Sequence, residues 1–181
     1  RIIVNGGTPR EARLKRAYGY VFQAPALYPW RTIARNVALP LEIMGYSQSD
    51  VSARIKRTLE LVNLSGFEKK FPWQLSGGMQ QRASIVRSLS VDPSLLLMDE
   101  PFGALDAFTR EELWGVMQKL WMERRFTAVL VTHDLREAVY LADTVYVMSK
   151  RPGRVILRKQ VDLPRPRTLE MTFEPGFVEI V

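Results

Sequence analysis

Residues 94–100, Ser-Leu-Leu-Leu-Met-Asp-Glu, place four consecutive large apolar side chains directly before two carboxylates. A short apolar run with no polar alternation, entered from the turn pair Asp92-Pro93, reads as a strand buried on both faces, the habit of parallel sheets. Downstream, residues 109–124 carry a helical pattern and "TAVLVT" (127–132) reads as a second buried strand. "LREAVYLA" (135–142) reads as a helix, and "TVYVMS" (144–149) as a third strand ahead of Pro152-Gly153. Strand, helix, strand, helix, strand predicts an α/β layer with a mostly parallel sheet.

Upstream, Arg1-Ile2-Ile3-Val4 reads as a strand closed by the turn signal Asn5-Gly6-Gly7-Thr8-Pro9, and Tyr20-Val21-Phe22 as another strand, followed by Gln23. Beyond the Pro-punctuated loop 24–30, Ile33, Val37, Leu39, Leu41 and Ile43 fit a helix entered near Thr32, with a kink or break at Pro40. A second helix follows, with Ser49 or Asp50 as its cap, and a third covers roughly Met79 to Ser90. The α/β core is therefore expected over 1–29 and 93–160, a helical subdomain over 30–92, and a tail over 161–181 whose "LPRPRTLE" reads as an extended surface arm.

At 181 residues and 46% apolar, the chain can bury one substantial core. Without cysteine there are no disulfides, and no apolar run approaches the ~18 residues of a membrane span, so a cytoplasmic setting is expected. The net charge of +7 is scattered among 19 acidic residues, which favours a solvated basic surface over a nucleic-acid footprint.

The chemistry gathers at strand ends. Asp99 and Glu100 lie at the carboxyl end of a buried parallel strand, where open α/β sheets bind ligands. An aspartate there can hold Mg²⁺ and the neighbouring glutamate can take a proton from an attacking water, or the pair can simply cap the next helix. His133, the single histidine, follows the strand "TAVLVT" and so reaches the same edge, unless it only satisfies local backbone. In "LSGGMQQR" (75–82), Gly77 and Gly78 let backbone amides approach a ligand, Ser76 adds a hydroxyl, and the helix that follows presents its positive end. An anion, most simply a phosphate, suits that turn, although Ser76 can equally serve as an N-cap with a tight glycine entry.

Taken together, Gln23 after a strand, "LSGGMQQR", "LLLMDEPFGALD" and "VTHD", in this order and spacing, resemble the ATP-binding subunit of an ABC transporter over essentially the whole chain. The resemblance implies a P-loop NTPase-like fold and an ATPase that powers import of a small solute. It implies Mg²⁺ at Asp99, a general base in Glu100, Gln23 sensing Mg²⁺ and the attacking water, and a switch histidine in His133. Ser76, Gly77, Gly78 and Gln80 of the signature turn would meet the ATP of an opposite protomer, and Asp106 would belong to the loop that couples the two sites. Implied partners are a second copy, integral-membrane permease subunits and an external solute-binding protein, with no nucleic acid, at the cytoplasmic face of the plasma membrane. "ALYPWRTIARNVALPLEIMG" and the tail resemble the nitrate, sulfonate and taurine importer group, with pyrimidine-precursor importers similar. Tyr28, Pro29 and Trp30 suit docking onto a membrane-subunit helix or packing beneath the helical block.

None of the 11 glycines belongs to a G-x-x-x-x-G-K-[ST] loop, which the resemblance leads one to expect before residue 1. This polypeptide is therefore expected to be a portion of a longer protein and to bind ATP poorly by itself. A subunit that only completes a partner's ATP site is the alternative.

Overall fold

The computed structural model describes residues 2–181. A three-stranded parallel sheet lies at its centre, formed in order by β1 (Tyr18–Val21), β2 (Leu95–Asp99) and β3 (Thr127–Val131). Tyr20 pairs with Leu97, and Asp99 with Val131, so the strands end together at their carboxyl edge. On the middle strand Leu96 and Met98 are buried on one face while Leu95 and Leu97 are half-buried on the other, which accounts for its unbroken apolar character.

Helices α2 (Ile33–Ile43), α3 (Gln48–Leu61) and α4 (Gly77–Leu89) form the helical block, whose Val37, Leu59, Ile85 and Leu89 share one apolar cluster with Val21 and Leu96 of the sheet. α5 (Ala107–Arg124) adds Leu113, Met117 and Leu120 to that cluster, and α6 (Leu135–Leu141) adds Val139 and Tyr140. Gly19 of β1 runs so close to α4 that a Cβ there would lie 2.6 Å from the Ser88 carbonyl. This close approach is what lets α4 deliver its N-terminal turn near the sheet edge.

Several elements differ from the expectations. Ile2 and Ile3 are exposed and form no strand, and Val4 makes only an isolated bridge to Gly7; Arg1 lies outside the described residues. Instead Thr8 caps a short helix α1 (Pro9–Leu14) in a reciprocal capping box with Glu11, a Thr-x-x-Glu signal present in the sequence. The α3 cap is Ser47, not Ser49 or Asp50, its hydroxyl accepting the Asp50 amide at 3.2 Å. α2 continues through Pro40, which sits near its last turn.

Strand β3 is not buried on both faces: Val129 and Val131 are 50% and 53% exposed, because both border an open cleft. The strand 144–149 does not extend the parallel sheet either. It is β4 (Thr144–Met148), paired antiparallel with β5 (Val155–Gln160) as a separate ribbon. A cleft of about 920 Å³ separates β3 from β4. The stretch 163–170 is no free surface arm, since its Arg167 is buried, and further on Phe177 of helix α7 (Pro175–Val178) is buried too.

Candidate functional site

The parallel register brings the polar groups of three strand ends to one edge. Gln23 follows β1, Asp99 closes β2 with Glu100 just beyond, and His133 lies two residues past β3. Glu100 turns away from the strand through a left-handed backbone, φ 44°, while its amide donates to the Val131 carbonyl at 2.9 Å. Its carboxylate thereby meets the His133 ring, with Nδ1 3.4 Å from Oε2, and both side chains remain open to solvent. A left-handed conformation at a non-glycine residue carries a local cost, and it sits here at the carboxylate that faces the imidazole.

Gln23 joins the same corner. A Cβ placed on Gly103 would lie 3.5 Å from Gln23 Nε2 and 3.6 Å from Glu100 Oε2, so the two side chains flank the glycine, which leaves both room. Asp99 is exposed and accepts the Tyr20 hydroxyl on Oδ2 at 3.4 Å. Burial, then the Asp99 charge, raise the Tyr20 phenol above its ordinary pKa and keep it a donor. Tyr20 was not singled out from sequence, because strand alternation gives its face but not which residue of the neighbouring strand it meets.

The second group of predicted residues is set by two helix starts. α4 begins at Gly77, two residues before the expected Met79, so both glycines form its first turn. Ser76 is the N-cap, its Oγ accepting the Met79 amide at 3.3 Å, which leaves its O–H proton free to donate outward. Asp106 is likewise the N-cap of α5, accepting the Thr109 amide at 3.0 Å, and this bond holds its pKa below the ordinary carboxylate value. The two N-termini are packed together: a Cβ on Gly78 would meet Thr109 Cγ2 at 2.3 Å, and one on Gly77 would meet Leu105 Cδ2 at 3.7 Å. The Gln80 amide is turned back to the Leu75 carbonyl, at 3.2 Å.

Gln81, absent from the predicted set, connects the two groups. Buried in α4, it donates from Nε2 to the Phe22 carbonyl at 3.2 Å, the residue before Gln23, while its Oε1 has no partner. The cleft between β3 and β4 reaches this edge through Thr132, His133 and Asp134, while Asp99, Glu100 and Gln23 lie outside its lining.

One exposed carboxylate beside a second suits Mg²⁺, which keeps several waters and binds through one or two carboxylates together with substrate phosphates. Among the described residues no cluster of three or more His, Cys, Asp or Glu side chains could enclose a metal by itself. The arrangement therefore fits a cation that arrives with an anionic ligand. Two helix N-termini with free amides, side by side, suit such an anion.

A family profile described as ABC transporter matches residues 2–103. An aliphatic sulfonates import ATP-binding protein of Bacillus licheniformis is 42% identical over 168 residues, covering 93% of this chain and 64% of that protein. A taurine import ATP-binding protein of Pseudomonas syringae pv. tomato is 41% identical over 184 residues, covering 99% of this chain and 70% of that protein. Among solved structures, cbiO1 of Clostridium perfringens, described as part of the ABC transporter complex cbiONQ, superposes with a TM-score of 0.79 at 25% identity. The match covers 89% of this chain and 66% of that one. The chain thus spans less than two thirds of the length of the sulfonate protein and of cbiO1.

Proposed function

Because the chain belongs to the ABC transporter family, we propose that it is the ATP-binding and hydrolysing portion of a subunit that powers uptake of a small solute. The relatives named for sulfonate and taurine import favour a small organic sulfonate as that solute, with nitrate in the same importer group. The observation that carries the reading is the meeting of Gln23, Glu100 and His133 at one sheet edge beside Asp99.

Phosphoryl transfer asks mainly for positioning and charge neutralisation. Asp99 would hold Mg²⁺, which when bound offsets negative charge on the phosphates. Glu100, solvent-open and not consumed by an ion pair with Arg or Lys among the described residues, takes the proton of the attacking water. Gln23, on the far side of Gly103, orients that water. His133 donates toward the transferring phosphate while its other face stays against Glu100. Ser76 and the amides of the α4 turn serve the triphosphate bound to a second copy, and Asp106, through its cap on α5, holds the neighbouring turn.

The same reading gives the partners: a second copy of the subunit, permease subunits in the membrane and an external solute-binding protein, with this chain at the cytoplasmic face. Among the described residues no helix is long and apolar enough to cross a membrane, so attachment would come through contact. Trp30, 70% exposed and 5.2 Å from the Tyr28 ring, supports docking over packing beneath the helical block.

Glu100→Gln in the complete protein tests this. It should retain ATP binding and lower turnover by at least ~10²-fold, the scale at which a positioned base contributes. Turnover at the unaltered rate would remove Glu100 from the role.

A further inference from the structure

The tail after β5 buries an arginine where a surface arm was expected. Arg167 is 2% exposed, and all the acceptors of its guanidinium are backbone carbonyls. Nη1 donates to Val139, Tyr140 and Ala142 at 2.8, 3.1 and 2.7 Å, and Nη2 to Val161 and Leu163 at 3.3 and 3.2 Å. The first three carbonyls lie in the last turn and exit of α6, where a helix leaves its final carbonyls without partners and its dipole is negative. Burial lowers the Arg167 pKa to about 10, still well above neutrality, so the group stays cationic.

The backbone of the same residue is fixed as firmly. Its amide donates to Gln118 Oε1 at 2.7 Å, and its carbonyl accepts from Gln118 Nε2 at 2.8 Å and from the Tyr140 hydroxyl at 2.6 Å. Arg167 thus joins α5, α6 and the segment leaving β5 at one point.

The opposite end of α6 carries the imidazole of the candidate site. Asp134 caps the helix, accepting the Glu137 amide at 3.1 Å and Arg110 at 3.2 Å, and His133 immediately precedes it. Along the helix, Glu137 accepts from Trp114, and Arg136 donates to Thr172 and lies 3.7 Å from Glu111. A seven-residue helix is only about 10 Å long and too short to hold its own place, so its position is decided by what grips its two ends. At the C-terminal end the grip is Arg167 on three carbonyls, joined by Arg165, whose Nη2 donates to the Leu141 carbonyl at 2.6 Å.

We propose that Arg167 is a positioning residue which, by fixing the C-terminal end of α6, sets where His133 stands against Glu100. Its consequence for turnover rests on the ATPase reading above; the geometric claim does not. The test uses the fact that His133 is the only histidine among these 181 residues, so the ring Hε1 of this polypeptide gives one NMR signal. In Arg167→Met that signal should move by more than its linewidth at constant pH, with a smaller displacement in the same direction for Arg167→Lys, which keeps the charge but not the fork. In the assembled transporter, kcat should fall roughly tenfold or more with the ATP KM changed less than about twofold, short of the ~10²-fold that a 1 Å misplacement can cost.

A folded Arg167→Met whose imidazole signal is unmoved overturns the proposal, whatever happens to its melting temperature. An unmoved kcat with a moved signal overturns the ATPase reading of His133 instead. Should Arg167→Met fail to fold, Tyr140→Phe, which deletes only the 2.6 Å bond to the Arg167 carbonyl, decides the matter by the same signal.

Discussion

Replacing Gly78 by alanine separates a packing role of the signature glycines from a ligand role. Gly78 lies in the first turn of α4, so the backbone accepts an L-residue, and exchange of glycine for alanine in a helix stabilises by up to about 1 kcal/mol. Against this stands the 2.3 Å approach of the new Cβ to Thr109 Cγ2, where carbon contacts prefer about 3.5–4.0 Å. Thr109 cannot easily yield: it is β-branched, and its amide is committed to Asp106 at 3.0 Å. Overpacking of this kind costs about 1–3 kcal/mol, so the net expectation is a loss of about 0–3 kcal/mol, or a Tm lower by up to about 12 °C.

Two controls sharpen it. Gly77→Ala meets only Leu105 at an ordinary 3.7 Å and should be neutral or slightly stabilising. Thr109→Ser removes the clashing methyl, and in that background Gly78→Ala should change sign, becoming stabilising by up to about 1 kcal/mol. Urea and thermal unfolding of the four proteins read the cycle. If Gly78→Ala is as stable as Gly77→Ala, or if Thr109→Ser fails to restore it, then α4 and α5 do not abut as described.

Glu137 is buried beside Trp114, and burial raises its pKa above the ordinary 4.5 despite bonds from Thr132 and Trp114. A raised folded-state pKa means that the folded protein holds this proton more tightly, so its contribution is fully present below about pH 4.5 and is lost as pH rises through the folded value. Glu137→Gln keeps an oxygen for Trp114 and cannot ionise; its melting temperature relative to the wild type should therefore rise from about pH 4 to about pH 8, and a flat difference would contradict the burial argument. Asn36, fully buried, accepts the Tyr28 amide at 2.7 Å and donates to the carbonyls of Tyr28, Arg31 and Thr32. Asn36→Ala should cost about 1–3 kcal/mol through orphaned backbone groups and mobilise Trp30, seen as a change in tryptophan fluorescence anisotropy before unfolding.

The apolar run 95–98 determined the central strand by itself, because a strand covered on both faces, fully at Leu96 and Met98 and partly at Leu95 and Leu97, leaves no polar alternation until the carboxylates at its end. The periodicities of α2 and α3 were equally legible, since each buries one face, whereas α4 is buried through the unbroken run 81–86 and was marked instead by its glycine entry. Sequence also supplied Gln23, Asp99, Glu100, His133 and Asp106 as candidates, each at a strand or helix end where side chains are free to act.

Partnership was decided only in three dimensions. Whereas β4 pairs with β5, its neighbour across residues 149–154, whether β3 is flanked depends on hydrogen bonds between segments far apart in the chain, which local composition does not encode. The same holds for Tyr20 on Asp99, Gln81 on the Phe22 carbonyl, and Gly78 against Thr109. Arg167 is the clearest instance: a charged residue that follows a proline and precedes a threonine reads as exposed, and only the meeting of α6 with the β5 exit provides the five carbonyls that let it be buried.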